Sequence, residues 1–214
     1  MKYDAVFFDL DGTIIETIPL WQRAYLETLQ EFGIKMNVDD FMSKIYVTSQ
    51  PLIEALAEQG VVDAPTVQKF RAQRDQKYCE ILREEVKWIQ GAEQTLRSAK
   101  KKAPLGLITG SWRPYVEATD ARLNLSKYFE VIVTANEMEQ GKPHPSGLLI
   151  AAKNLQVNPV NCIYIGDMPF DIAAANAAGM TSCLLWGKDT PVGADGGAQI
   201  VCKDLEEVKE RILT

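Results

Sequence analysis

The stretch Ala5-Val6-Phe7-Phe8-Asp9-Leu10-Asp11-Gly12-Thr13 decides how the rest of the chain is read. Four consecutive apolar residues predict a strand buried on both faces, as in a parallel sheet. Two carboxylates one residue apart then leave the strand's end, and the chain turns at once through Gly12. In an open parallel sheet, ligands bind at the carboxyl ends of the strands. A carboxylate there can serve as nucleophile, metal ligand or general acid/base. Asp-Gly between apolar runs is also a hairpin signal, and the remaining sequence weighs against that reading.

Short apolar runs recur at 5–8, 105–108, 131–133, 162–165, 181–185 and 200–202, each followed by polar residues or glycine. Helical periodicity fills the spaces between the later ones, as from Val116 to Leu125, Gly147 to Leu155 and Ile172 to Ala178. Strands alternating with helices predict an α/β fold, Rossmann-like, with a parallel sheet covered on both faces. The segment 17–88 breaks the rhythm. It shows no strand and reads as amphipathic helices over 18–32, 38–46, 50–59 and 64–85, punctuated by Gly33, Gly60 and the start signal Asp63-Ala64-Pro65. The expected organisation is a core of residues 1–16 and 89–214 with an all-helical insertion at 17–88. Gly193 to Gly197 reads as a surface loop.

The 214 residues are 46% hydrophobic and 24% charged, ordinary globular values. A net charge of −6 argues against nucleic acid or an anionic membrane as partner. No apolar stretch approaches the roughly 18 residues of a membrane span. The N-terminus runs straight into the first strand with no signal-peptide core, so a cytoplasmic protein is expected, monomer or homodimer. Cys79, Cys162, Cys183 and Cys202 are far apart; three lie in apolar runs, and all read as buried free thiols.

Three of the apolar runs end in an oxygen-bearing side chain: Asp9, Thr109 of Thr109-Gly110-Ser111, and Asp167 after Gly166. If the strands are parallel neighbours, these groups meet at one edge of the sheet. Asp171 follows Asp167 by four residues at the start of a helical pattern opened by Pro169. Lys142 lies in Gly141-Lys142-Pro143-His144-Pro145 ahead of another helix. Each residue has a plainer role open to it: Ser111 as a helix N-cap, Asp171 as a first-turn charge favoured by the helix dipole, Lys142 as a solvated loop lysine. Asp167 has little structural reason to follow a buried strand. Carboxylates about 5 Å apart repel by roughly 3 kcal/mol per pair at an effective dielectric near 20, more than one lysine offsets. The ligands are all oxygen, which selects a hard cation, Mg²⁺ before Zn²⁺. A hard cation, a lysine, a hydroxyl and helix-start amides together describe a phosphate site.

The motifs DLDGT, LITGS, GKPHP and GDMPFD, in this order and spacing, resemble the four motifs of the haloacid dehalogenase (HAD) superfamily. The helical insertion is similar to the C1 cap of its phosphoglycolate phosphatase and β-phosphoglucomutase-like branch. The resemblance implies Asp9 as the nucleophile that takes the phosphoryl group, and Asp11 as general acid, then base. It implies Thr109, Gly110 and Lys142 as the phosphate-binding groups. Mg²⁺ would be held by Asp9, Asp167 and the backbone carbonyl of Asp11, with Asp171 an outer carboxylate of the metal site.

Within the family, haloacid dehalogenases lack an acid at the position of Asp11, so the resemblance implies phosphoryl transfer. The mutases carry a cap histidine where this chain has Trp21, and the single histidine, His144, lies in the lysine loop. A phosphonatase needs a cap lysine, and the surroundings of Lys44 do not match. Many relatives have Asp-Ser at the cap hinge, where this chain has Glu16-Thr17. The expected activity is a Mg²⁺-dependent phosphatase of a small phosphorylated metabolite, with phosphoglycolate as the leading substrate and pyrophosphate, sugar phosphates and nucleoside monophosphates as alternatives. The rival readings are a β-phosphoglucomutase-like mutase and a non-catalytic binding protein of the same fold. Substrate selection is expected from the cap, with Trp21, Arg23, Tyr46, Thr48, Ser49, Gln50, Arg74 and Lys77 as candidates, and from Trp112 and Arg113 at the entrance.

Overall fold

The computed structural model describes residues 2–42, 52–58, 60, 62–186 and 195–212. Lys44, Tyr46, Thr48, Ser49 and Gln50, and the first two residues of the Gly193 to Gly197 loop, lie outside them. The chain forms two compact units: Met1–Glu16 with Lys87–Thr214, and Thr17–Val86.

The first unit is built on a six-stranded parallel sheet. Its strands are β1 (Ala5–Phe8), β4 (Leu105–Ile108), β5 (Val131–Val133), β6 (Cys162–Gly166), β7 (Thr181–Leu185) and β8 (Ile200–Cys202), in the spatial order β5-β4-β1-β6-β7-β8. They coincide with the six apolar runs because strands covered on both faces read as near-continuous apolar stretches. Between them run α5 (Ala92–Lys100), α6 (Arg113–Leu123), α7 (Ser146–Leu155) and α8 (Pro169–Ala177), and α9 (Leu205–Ile212) follows β8. The core packs Phe7, Tyr164 and Cys162 from the sheet with Leu148, Ala151 and Ala174 from α7 and α8. β1 stands between β4 and β6: after it the chain adds β4 and β5 on one side, then crosses to add β6, β7 and β8 on the other. The crevice created where the strand order reverses lies at the carboxyl end of β1.

A second, antiparallel ladder pairs β2 (Ile15–Glu16) with β3 (Lys87–Trp88), in the register Ile15↔Trp88 and Glu16↔Lys87. This corrects the expectation of a strand-free segment from 17 to 88. Two residues are too few for any alternation to be visible in sequence.

The second unit consists, among the described residues, of α1 (Ile18–Glu31), α2 (Val38–Phe41), α3 (Leu52–Glu58) and α4 (Ala64–Glu85). The Asp63 carboxylate caps α4 by accepting from the Thr66 N–H at 2.9 Å, with Pro65 in its first turn. Tyr25, Leu29, Phe41, Ile53, Val67 and Phe70 form its core. All four cysteines are buried free thiols. Among the described residues, no helix is long and apolar enough to cross a membrane.

Candidate active site

Asp9, Thr109 and Asp167 each stand one residue past a strand end, and ladder bonds that outlast the strands hold the first two. The Asp9 N–H donates to the Ile165 carbonyl at 2.9 Å, and the Thr109 N–H to the Val133 carbonyl at 3.0 Å. The chain then folds back sharply after β1: Ile14 and Ile15 both donate to the Leu10 carbonyl, and Gly12 donates to Ile15. Gly12 takes φ +81°, and a Cβ there would stand 2.5 Å from Asp167 Oδ2. Only glycine meets both demands. A Cβ on Gly166 would likewise strike the Asp171 carboxyl.

Asp9, Asp167 and Asp171 are buried, and each offers an oxygen within 4.8 Å of the others. Lys142 sits among them with its side chain 5% exposed. Its Nζ donates to Asp9 Oδ1 at 2.6 Å, to Asp171 Oδ1 at 2.5 Å and to Tyr164 Oη at 3.0 Å. The solvated-loop alternative for this lysine is therefore excluded. Asp171 Oδ2 accepts the Met168 N–H at 3.0 Å, so this carboxylate both caps α8 and faces the lysine. Asp167 Oδ1 accepts the Thr13 hydroxyl at 2.7 Å.

Asp11 stands apart from this cluster. Its Oδ2 accepts the Thr109 hydroxyl at 3.1 Å and the Ser111 hydroxyl at 2.7 Å. The Ser111 N–H in turn donates to Thr109 Oγ1 at 2.9 Å, closing a tight loop after β4. Ser111 is thus not the N-cap of α6; that position falls to Trp112, and the serine hydroxyl orients Asp11 instead. Gly110 is exposed, with nothing within 4 Å of where a Cβ would stand, which leaves its backbone open to a ligand.

Burial sets the electrostatics. It pushes the Asp9 carboxyl well above the ordinary range; Lys142 pulls it back, while Asp171, Asp167 and Asp11 push it up again. Asp167 is raised to about 7, chiefly by burial, against the opposing Thr13 hydrogen bond. Burial disfavours the Lys142 charge, but Asp9, Tyr164 and Asp171 outweigh it and hold the ammonium protonated. Ionised together, three buried carboxylates would exceed the charge of one ammonium. Their donor set is entirely oxygen, which fits a hard divalent cation.

Several expected selectivity residues turn out to be engaged within the helical unit. Arg23 forms a two-pronged pair with Glu85 at 2.7 and 2.9 Å. Lys77 bonds Glu31 at 2.9 Å. Arg74 bonds Asp75 and lies 4.7 Å from the centre of the Trp21 ring, which packs edge-on against Tyr25 and Tyr78. In the first unit, Arg113 is held by Glu137 at 2.8 Å, while Trp112 is 61% exposed. His144 accepts the Ser146 N–H at the entry to α7. Sequence reasoning missed Tyr164 and Ser111. A tyrosine inside an otherwise aliphatic buried run was the available signal, since a buried phenol needs a partner.

A family model described as haloacid dehalogenase-like hydrolase matches residues 6–185. The phosphoglycolate phosphatase of Escherichia coli (strain K12) is 33% identical over 205 residues, covering 83% of this chain and 79% of that protein. The fructose-1-phosphate phosphatase YqaB of the same organism is 28% identical over 179 residues, covering 84% and 94%. Among solved structures, CbbY from Rhodobacter sphaeroides in complex with phosphate shares the fold with a TM-score of 0.82 over 96% of each chain, at 23% identity. With the motifs and the buried aspartate cluster in place, the chain belongs to the haloacid dehalogenase-like hydrolases, in their phosphoglycolate phosphatase-like branch, as a phosphoric monoester hydrolase.

Proposed function

We propose that the protein is a cytoplasmic Mg²⁺-dependent phosphatase that hydrolyses phosphoglycolate, with the helical unit Thr17–Val86 serving as its substrate-selecting cap. The buried cluster of Asp9, Asp167, Asp171 and Lys142 carries this reading. The 33% identical phosphoglycolate phosphatase supports this choice of substrate.

In this proposal an Asp9 carboxylate oxygen attacks phosphorus, and the bond from phosphorus to the leaving oxygen breaks. Asp11 gives its proton to that oxygen. Water then attacks the phosphorus of the Asp9 acyl phosphate: its oxygen bonds phosphorus, its proton returns to Asp11, and the bond from phosphorus to the Asp9 oxygen breaks. Inorganic phosphate leaves and both aspartates are restored. In the free site the hydroxyls of Thr109 and Ser111 hold Asp11 Oδ2; Ser111 keeps it when the Thr109 hydroxyl turns to the phosphoryl group, which leaves the other carboxylate oxygen to carry the travelling proton. Thr109, the Gly110 backbone and Lys142 hold the phosphoryl oxygens, where developing charge is best stabilised by donors already in place. Asp9, Asp167 and the Asp11 carbonyl would hold Mg²⁺, with Asp171 orienting the site from outside. When bound, the ion neutralises the phosphoryl oxygens and the excess carboxylate charge.

The test is phosphate release from a panel of phosphorylated metabolites in the presence of Mg²⁺. The panel includes phosphoglycolate, fructose 1-phosphate and pyrophosphate. Turnover of phosphoglycolate above the others, lost with EDTA and in Asp9→Asn, is the expected result. Preference for another compound overturns the substrate but keeps the chemistry; no release from any of them by the folded protein overturns both.

A further inference from the structure

An ammonium has three protons to give. Lys142 places two on carboxylates and the third on a residue so far without a role, Tyr164. Tyr164 is fully buried in β6, its ring in the core with Phe7 and Leu148. Its hydroxyl accepts from Lys142 Nζ at 3.0 Å and has one proton of its own. The nearest acceptor for that proton is the Ile108 carbonyl at 3.1 Å, with Asp171 Oδ1 next at 3.3 Å. Ile108 ends β4, and its carbonyl belongs to the peptide unit that leads into Thr109. One hydroxyl therefore touches both the lysine loop and the peptide carrying the threonine.

We propose that Tyr164 is a positioning residue for phosphoryl transfer: its hydroxyl fixes the Lys142 ammonium and ties it to the end of β4, so that Lys142 and Thr109 are set in register before substrate arrives. The proposal rests on the reading of those two residues as the phosphoryl-holding groups. Packing alone does not call for the oxygen, because phenylalanine would fill the same space. Without it the Lys142 ammonium keeps only its two carboxylate partners and is drawn toward them, and the Ile108 carbonyl loses its side-chain donor. An ångström of misplacement in such a site can cost on the order of 10²-fold in rate.

The test is Tyr164→Phe, with kcat, KM and thermal stability measured together. The expected result is a fall in kcat on the order of tenfold, with KM changed less than about twofold and melting within a few degrees of wild type. Wild-type kcat in Tyr164→Phe, with or without a lowered melting temperature, overturns the proposal. Adding Tyr164→Phe to Lys142→Arg separates action through the lysine from action elsewhere. Less-than-multiplicative losses in kcat are expected; fully multiplicative losses overturn it. If Tyr164→Phe does not fold, proton exchange at the Lys142 ammonium in the wild-type protein gives a second readout. Exchange slower than at the partly exposed Lys77 is expected, and equal rates overturn the proposal. Turnover retained in Asp9→Asn defeats the phosphatase reading itself, whereas an inactive Asp9→Asn beside an unimpaired Tyr164→Phe defeats only the role given to the tyrosine.

Discussion

Lys142 and Lys77 are each placed against two carboxylates, yet they do different work. Lys77, in the helical unit, is 25% exposed and lies 2.9 Å from Glu31 and 3.5 Å from Glu27, both of which are about half exposed. Water and salt screen such a pair, so it contributes little. Lys142 is enclosed with Asp9 and Asp171 at the end of the sheet, where desolvating charge is costly and attraction is strong. A fold has no stability reason to gather three carboxylates in its interior. The difference between the two lysines is therefore the difference between solvated charge that decorates a surface and buried charge kept for chemistry.

The largest effect expected from this contrast is on turnover. Asp9→Asn should lower kcat by about 10³-fold or more, since the covalent route is lost, whereas Glu31→Gln should leave kcat unchanged. Steady-state kinetics on the two variants side by side would break the comparison if their effects were similar. Next comes stability. Lys142→Met leaves buried carboxylates without their counter-charge and should destabilise by about 3–5 kcal/mol in urea unfolding. Mg²⁺ should also act on the buried site alone. At a concentration of about 100 times its Kd it should stabilise the protein by about 2.7 kcal/mol, and Asp167→Asn should abolish most of that gain in a thermal melt. At the low end, Lys77→Met should cost about 0.2–1 kcal/mol, and this small loss should shrink further in high salt.

A last, small effect concerns acid. Burial raises the Glu137 carboxyl, but hydrogen bonds from Thr134 and the pair with Arg113 outweigh it, so its pKa lies below the ordinary glutamate value. A group with a depressed folded pKa stabilises at pH above its unfolded pKa, and that contribution is lost as pH falls through the folded value. Glu137→Gln should therefore lower stability at pH 7 and flatten its decline between about pH 5 and pH 3. An unchanged acid limb in a pH series of melts would show that the pairing contributes nothing.

Much of this was legible in the residues. All six strands of the parallel sheet stand where the apolar runs stand, because burial on both faces leaves no room for polar alternation. Asp9, Thr109 and Asp167 could be placed at one edge since each follows such a run, and the structure brings them to adjacent strand ends. Local pattern could not show partners distant in sequence. Nothing near Tyr164 announces Ile108 or Lys142, and nothing near Ser111 announces Asp11 a hundred residues earlier. The same limit hid the engagements of Arg23 and Lys77, whose acidic partners lie on α4 and α1 respectively. A basic residue on a helix reads alike whether it faces water, a ligand or a glutamate.

The β2–β3 ladder has a consequence for what the core can host. Glu16 and Lys87 are paired partners, so the chain leaves the first unit and re-enters it one strand spacing away. In chain order, everything from Thr17 to Val86 is the connection between two paired strands of the first unit. The demand on a guest segment is that its two ends come back together. Its length, its helices and its aromatic interior are free to change while the aspartates, the lysine and the sheet beneath them stay as they are.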